Sequence, residues 1–219
     1  MRRCLNDLVV EPAENGLVLV DQWRRGANKP VEVLCCDRAE GGRCLEALQV
    51  TTRSPMGAIA HGTGGMLIDD GWVRVLGAGC ARLPRSLSDW NGVGAAPRLA
   101  DALLVGDDAI AGFFAVNGGR FGPQLGTVHY LAPNTLQWES LRLTYSQWLR
   151  WLFTGDLQTF YAAGRWEGWR DEVRGLAGDR AISVYPFLSA AGPPVSERSR
   201  RAVPIEELWG LLVDLRTGC

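Results

Sequence analysis

Gly65-Met66-Leu67-Ile68-Asp69-Asp70-Gly71-Trp72-Val73-Arg74-Val75-Leu76 decides the fold. Two short apolar runs of strand length flank Asp70-Gly71, a strong two-residue hairpin signal because both positions tolerate the positive φ that such turns demand. The run upstream, Gly57-Ala58-Ile59-Ala60-His61, reads as a further short strand. Downstream, Ala102-Leu103-Leu104-Val105, Gly112-Phe113-Phe114-Ala115-Val116, Thr127-Val128-His129-Tyr130-Leu131 and Leu136-Gln137-Trp138 continue the pattern. Asp107-Asp108, Asn117-Gly118 and Pro133-Asn134 punctuate it as turns. Strands in hairpin succession, with no helices between them, predict one mainly antiparallel sheet of six or seven strands in an α+β fold, not a doubly wound parallel sheet.

Helices flank this sheet in the sequence. Leu17, Val20 and Trp23 form a helical stripe after Pro12, and Gly26 supplies its stop. Pro30 to Cys35 then reads as a strand, and Cys44, Leu45 and Leu48 as a second helix. Beyond the sheet, Tyr145, Trp148, Leu149 and Leu152 recur at helical spacing, with Thr144 or Ser146 as the cap and Gly155 as the end. Trp166, Trp169, Val173 and Leu176 repeat that spacing, and Ile205, Leu208, Trp209, Leu212 and Leu215 form a terminal helix opened by Pro204. Leu83 to Leu99 reads as a loop with one helical turn at Ser86–Trp90, and Ala190 to Ala202, with Arg198, Arg200 and Arg201, as a mobile surface loop. The expected organisation is a single α+β domain over 1–219: a helical part to about 50, the sheet over about 56–139, and a helical part over about 144–216.

Composition narrows the function. A formal charge of -1 with 21% charged residues argues against a broad nucleic-acid surface. The absence of any long apolar run argues against a bilayer span or a signal peptide, which places the chain in the cytoplasm. The six cysteines (Cys4, Cys35, Cys36, Cys44, Cys80 and Cys219) are read as reduced structural thiols. Lys29 is the sole lysine, a bias that fits GC-rich coding as well as phosphate recognition.

Several motifs approach a chemistry without completing it. Gly77-Ala78-Gly79-Cys80-Ala81-Arg82 puts an arginine where a dinucleotide fingerprint needs a third small residue, and Gly62-Thr63-Gly64-Gly65 lacks the Lys-Ser or Lys-Thr pair of a phosphate loop. His61 and His129, the only histidines, show no metal-ligand spacing. Asp69-Asp70 and Asp107-Asp108 read as solvated turn formers. No catalytic residue, metal or cofactor is assigned. The remaining candidates for contact with a ligand or partner are Arg53, His61, Trp72, Trp166 and Trp169. Arg53 lies in the polar loop Thr51–Gly57, where its guanidinium either grips an anion or pairs internally, and the tryptophans are core by spacing or flank a recognition surface.

The stretch Val50–Gly79, together with Leu83-Pro84-Arg85-Ser86-Leu87, Trp90-Asn91, Arg165-Trp166-Glu167-Gly168-Trp169 and Pro204 to Gly210, resembles a bacterial family known only as a domain of unknown function, over nearly the whole chain. Shorter patterns also resemble the SUKH superfamily, α+β proteins associated with bacterial toxin immunity. These are Leu83-Pro84 with Trp90-Asn91-Gly92, Leu103-Leu104-Val105 before Asp107-Asp108, Gly112-Phe113-Phe114, Gly126 to Tyr130 and Tyr145 to Leu149. That likeness implies a non-catalytic protein whose partner is a protein, a toxin in the SUKH case. Two other readings stand beside it: a small-molecule enzyme or sensor with an anion-anchoring pocket near Arg53, His61 and Trp72, and a homo-oligomer assembled through aromatic surface.

Overall fold

A computed structural model describes residues 2–217, so Cys219 lies outside the described residues. The chain runs through α1 (Leu5–Leu8), α2 (Gly16–Arg25), β1 (Val31–Leu34), α3 (Arg38–Leu48), α4 (Pro55–Gly62), β2 (Gly65–Ile68) and β3 (Val73–Leu76). It continues through α5 (Leu87–Trp90), β4 (Ala102–Asp108), β5 (Phe113–Asn117), β6 (Thr127–Leu131), β7 (Trp138–Thr144), α6 (Tyr145–Thr154) and α7 (Leu157–Phe160). It closes with α8 (Trp169–Arg174), β8 (Arg180–Tyr185), β9 (Ser199–Pro204) and α9 (Ile205–Thr217).

The fold is α+β. Strands β1 to β7 form one sheet in sequence order, every neighbouring pair antiparallel, and β8 and β9 form a separate two-stranded hairpin. Successive residues of a strand point to opposite faces, so Phe113 and Phe114 of β5 report on both sides of the sheet. Phe114 meets Trp148 of α6, with ring centroids 5.2 Å apart, and Phe113 meets Trp209 of α9 at 4.9 Å. The sheet is thus covered on both faces, and both phenylalanines are fully buried. Burial on both faces is also why β2 is apolar throughout and why Arg74 of β3 is enclosed with an ion-pair partner.

Three local expectations are corrected. Gly57–His61 is helix, not strand: Ser54 accepts a hydrogen bond from Gly57 N–H as the N-cap, and Pro55 takes the first helical position. The run is small and apolar because it packs helix on helix. A Cβ at Gly41 of α3 would fall 2.0 Å from the His61 carbonyl oxygen, and one at Gly57 would fall 2.2 Å from that of Thr51. The β2–β3 connection is a four-residue loop, in which Asp69, Asp70 and Gly71 have φ of 53°, 59° and 88°. Finally, the segment expected as one helix from Trp166 is helical only over Trp169–Arg174. Gly168, at φ 79°, precedes that helix and leaves Trp166 in the turn before it.

The aspartate pairs are not solvated. Asp107 and Asp108 are completely buried and Asp69 nearly so. Asp107 holds two buried guanidinia, Arg74 at 2.5 Å and Arg85 at 2.6 Å. Asp108 accepts from Ile110 N–H, Gly112 N–H and, at 2.7 Å, the Tyr130 hydroxyl. Burial pushes its carboxyl above the ordinary range, which the Tyr130 hydroxyl opposes, and the same burial drives the Tyr130 phenol upward. This ion cluster also sets the position of the β8–β9 hairpin. Arg85 donates to the Gly178 carbonyl, and Arg74 donates to the Arg180 carbonyl at the foot of β8. Ile182 N–H adds a bond to the Ala109 carbonyl at 2.7 Å.

Candidate partner-binding face

The hairpin β8–β9 is the part of the molecule that sequence reading places wrongly and that carries the most unspent recognition chemistry. Ser199–Ala202 lies in the segment expected as a mobile loop, yet it belongs to the strand Ser199–Pro204, in register with β8 from Arg180↔Pro204 to Tyr185↔Ser199. Arg198 fixes the intervening chain. Its guanidinium donates to the carbonyls of Pro186, Phe187, Ala190 and Pro193, so one side chain replaces the backbone ladder that a proline-rich loop lacks.

One side of the hairpin faces inward. Ile182 and Val184 are buried, and Arg200 stacks on Trp166 with its Cζ 4.6 Å from the ring centre. The opposite side carries Ser183, Tyr185, Ser199 and Arg201, which with Phe187 surround a hollow of about 350 Å³. Tyr185 is 66% exposed and meets Phe187 edge to face at 5.9 Å. Arg201 is exposed and makes no ion pair or side-chain hydrogen bond among the described residues. Ser183 and Phe187 also line a narrow apolar groove between the hairpin and α9, floored by Ile110, Leu208, Leu211 and Leu212 and bordered by Leu215. The face therefore combines an apolar slot, two accessible rings, two hydroxyls and an unneutralised guanidinium on an element tied to the core.

The residues singled out from the sequence fall in three places. Trp72, Trp166 and Trp169 come together as a buried cluster behind the hairpin, with Trp72 4.8 Å from Trp169 and 5.8 Å from Trp166. Arg165 lies among them, its Cζ 4.1 Å from the Trp169 ring centre and 4.7 Å from that of Trp72, and Asp69 pairs with it at 2.5 Å. Trp166 touches the face indirectly, through Arg200 and through Glu172, which accepts its indole N–H at 2.7 Å. Arg53 is elsewhere, half-exposed or more and paired with Glu14 at 2.6 Å. His61 is in the last turn of α4, two turns from the Ser54 cap, so that serine and histidine do not meet. Its imidazole is held below the ordinary value by burial and then by Arg38. His129 is buried and stacked on Phe121 with centroids 4.4 Å apart, and burial lowers its pKa too. The Cys36 and Cys44 thiols each donate to a backbone carbonyl, of His61 and Gly77 respectively. Among the described residues no group of three or more His, Cys, Asp or Glu side chains is placed to hold a metal ion, and no helix is long and apolar enough to cross a membrane.

Tyr185, Phe187 and Arg201 are the residues that sequence reading missed. The signal was present in Arg180-Ala181-Ile182-Ser183-Val184-Tyr185, whose second half alternates apolar and polar with β-branched residues inward.

The model of the family described as a protein of unknown function, DUF2625, matches residues 5–208. The chain belongs to the DUF2625 family. A putative uncharacterized protein, YbfG, of Escherichia coli K12 is 38% identical to the DUF2625 chain over 216 residues, covering 98% of this chain and 97% of its own. An uncharacterized protein of Haemophilus influenzae is 37% identical over 205 residues, covering 90% and 89%. No solved structure matches this DUF2625 chain. The resemblance to a bacterial family of unknown function is therefore established, and none of these matches extends to the SUKH superfamily.

Proposed function

We propose that this protein is a non-catalytic binding protein that docks a protein partner on the outer face of the β8–β9 hairpin. The observation that carries the reading is the unpaired Arg201 beside the exposed Tyr185 and the half-buried Phe187. Tyrosine and arginine dominate the energetics of protein interfaces because each offers a large flat contact area together with directed hydrogen bonds. The apolar groove against α9 adds a slot in which a partner side chain can lose its water. The reading is supported from the other direction by how the polar groups are spent. The buried carboxylates neutralise arginines or accept hydrogen bonds inside the core, and His129 is stacked on Phe121.

The test begins with a photo-crosslinking residue at Tyr185, and in a control protein at Arg53. The protein captured at position 185 is purified and titrated calorimetrically against wild type, Tyr185→Ala and Arg201→Glu. Stoichiometric binding is expected, weakened at least about tenfold by either substitution, or about 1.4 kcal/mol, with an unchanged melting temperature. Equal affinity in both variants overturns the face. Turnover of a defined compound by the pure protein overturns the non-catalytic reading. A toxin is the partner class that the SUKH likeness implies, and protection of cells expressing the captured protein would identify neutralisation as the outcome of binding.

A further inference from the structure

We infer that the partner supplies an acidic extended segment that adds as a third strand to the outer edge of β9. This rests on the hairpin face being the binding surface and specifies how that surface is used. Hydrogen-bond parity decides which backbone groups of the hairpin face outward. Ile182 N–H leaves the hairpin to reach the Ala109 carbonyl, so Ile182 and its partner Ala202 form a non-hydrogen-bonded pair. The same parity makes Val184↔Arg200 and Arg180↔Pro204 non-bonded pairs, which agrees with Pro204 having no N–H to give and with the Arg180 carbonyl being taken by Arg74. The backbone groups of Arg200 and Ala202 consequently point away from β8.

The two edges of the hairpin are unequal. On that of β8 the Ile182 N–H is taken by the Ala109 carbonyl and the Arg180 carbonyl by Arg74. That of β9 is open at Arg200 and at the Ala202 N–H, and only the Ala202 carbonyl is engaged, by Arg180 at 2.9 Å. An open edge is a template for another strand, because its N–H and C=O groups lack partners. Charge then selects the strand. Arg201 is unneutralised and next to the edge, and Arg200, whose guanidinium donates to the carbonyls of Val195, Ser196 and Arg198, has a 3.5 Å ion pair with Glu172. A second copy of this chain pairing edge to edge would bring these guanidinia together, whereas a strand carrying carboxylates would neutralise them. An acidic segment with alternate apolar residues fits both features, because its carboxylates fall on the face that carries Arg201 and Tyr185 while the apolar residues between them fall on the opposite face, beside Arg200.

The probe is a short fluorescein-labelled peptide of alternating glutamate and valine, followed by anisotropy with the full-length protein. Saturable binding is expected, lost when alternate peptide nitrogens are methylated and lost in Ala202→Pro. Proline there removes only an outward N–H, a substitution that edge strands tolerate. Arg201→Glu is expected to weaken binding roughly tenfold, and a lysine–valine peptide to bind no better than background. Equal binding of the N-methylated peptide, or none of the parent, overturns strand addition, and concentration-dependent dimerisation of the protein alone would assign the edge to a second copy instead. Partner binding that is reduced by Tyr185→Ala yet indifferent to Ala202→Pro would refute strand addition and leave the face standing. Indifference to both would refute the face as well.

Discussion

Asp107 shows how burial changes the worth of a charge. Its carboxylate is fully enclosed and bridges two arginines that are themselves enclosed, and those arginines hold the carbonyls from which β8 starts. Asp107→Asn keeps the shape but leaves two buried guanidinia facing one neutral group. The expected loss is about 3–5 kcal/mol, the range for breaking a buried ion pair from one side. Urea unfolding measures it directly, and protease sensitivity of the hairpin should rise with it. Arg53 is the contrast. Its pair with Glu14 is more than half solvated, and Arg53→Ala should change the unfolding midpoint by less than about 1 kcal/mol equivalent. If the two substitutions cost the same, the ion cluster does not anchor the hairpin.

Elements differ in how much of their information is local. Helix α6 is self-announcing. Thr144, the last residue of β7, caps it in a reciprocal box with Gln147, and Trp148, Leu149 and Leu152 repeat at the period of the helix. Thr144→Ala should cost about 1 kcal/mol and Thr144→Ser very little, measured by thermal melting, because the serine hydroxyl keeps the cap. Most strands of the large sheet were legible too, with Asp70-Gly71 in the loop after β2 and Asn117-Gly118 at the end of β5, but β7 runs over Trp138–Thr144 and meets the expected Leu136–Trp138 only at Trp138. Helix α4 was not legible, although Ser54-Pro55 is a start signal, because Gly57-Ala58-Ile59-Ala60 has no readable period and the helix packs closely on α3. Strand β9 was hidden for a different reason: its order comes from Arg198 reaching four distant carbonyls and from pairing with a strand fourteen or more residues earlier, neither of which leaves a pattern within Ser199–Pro204. The same nonlocality explains the candidate site. Spacing marked Trp166 and Trp169 as a pair, but only the packing of Trp72 and Arg165 between them made them the backing of a face, with Arg201 as its exposed member.

For the whole molecule, the buried titratable groups fix how stability depends on pH. His61 and His129 both titrate below the ordinary imidazole value of 6.5, each chiefly because burial disfavours the cation. As pH falls through that value the unfolded chain takes up protons that the folded chain refuses, so the stabilisation present above it drains away toward the lower folded values. Asp108 acts with the opposite sign. Its raised carboxyl binds a proton more readily folded than unfolded, so its contribution is complete below the ordinary 3.8 and is lost as pH rises through the folded value. On the alkaline side the half-buried thiol of Cys36, the buried thiol of Cys44 and the buried phenols of Tyr130, Tyr145 and Tyr161 resist ionising, and stability is lost as the unfolded thiols and phenols titrate from their ordinary values of 9.0 and 10.0 upward. The melting temperature should therefore show a plateau from about pH 7 to about pH 8.5, an acid shoulder between about pH 7 and 5, and an alkaline fall. In the double variant His61→Gln, His129→Phe the acid shoulder should flatten while the alkaline fall is unmoved, because the imidazoles carry the first and the thiols and phenols the second. A shoulder of full size in that variant would refute the assignment of the acid sensitivity to the two imidazoles.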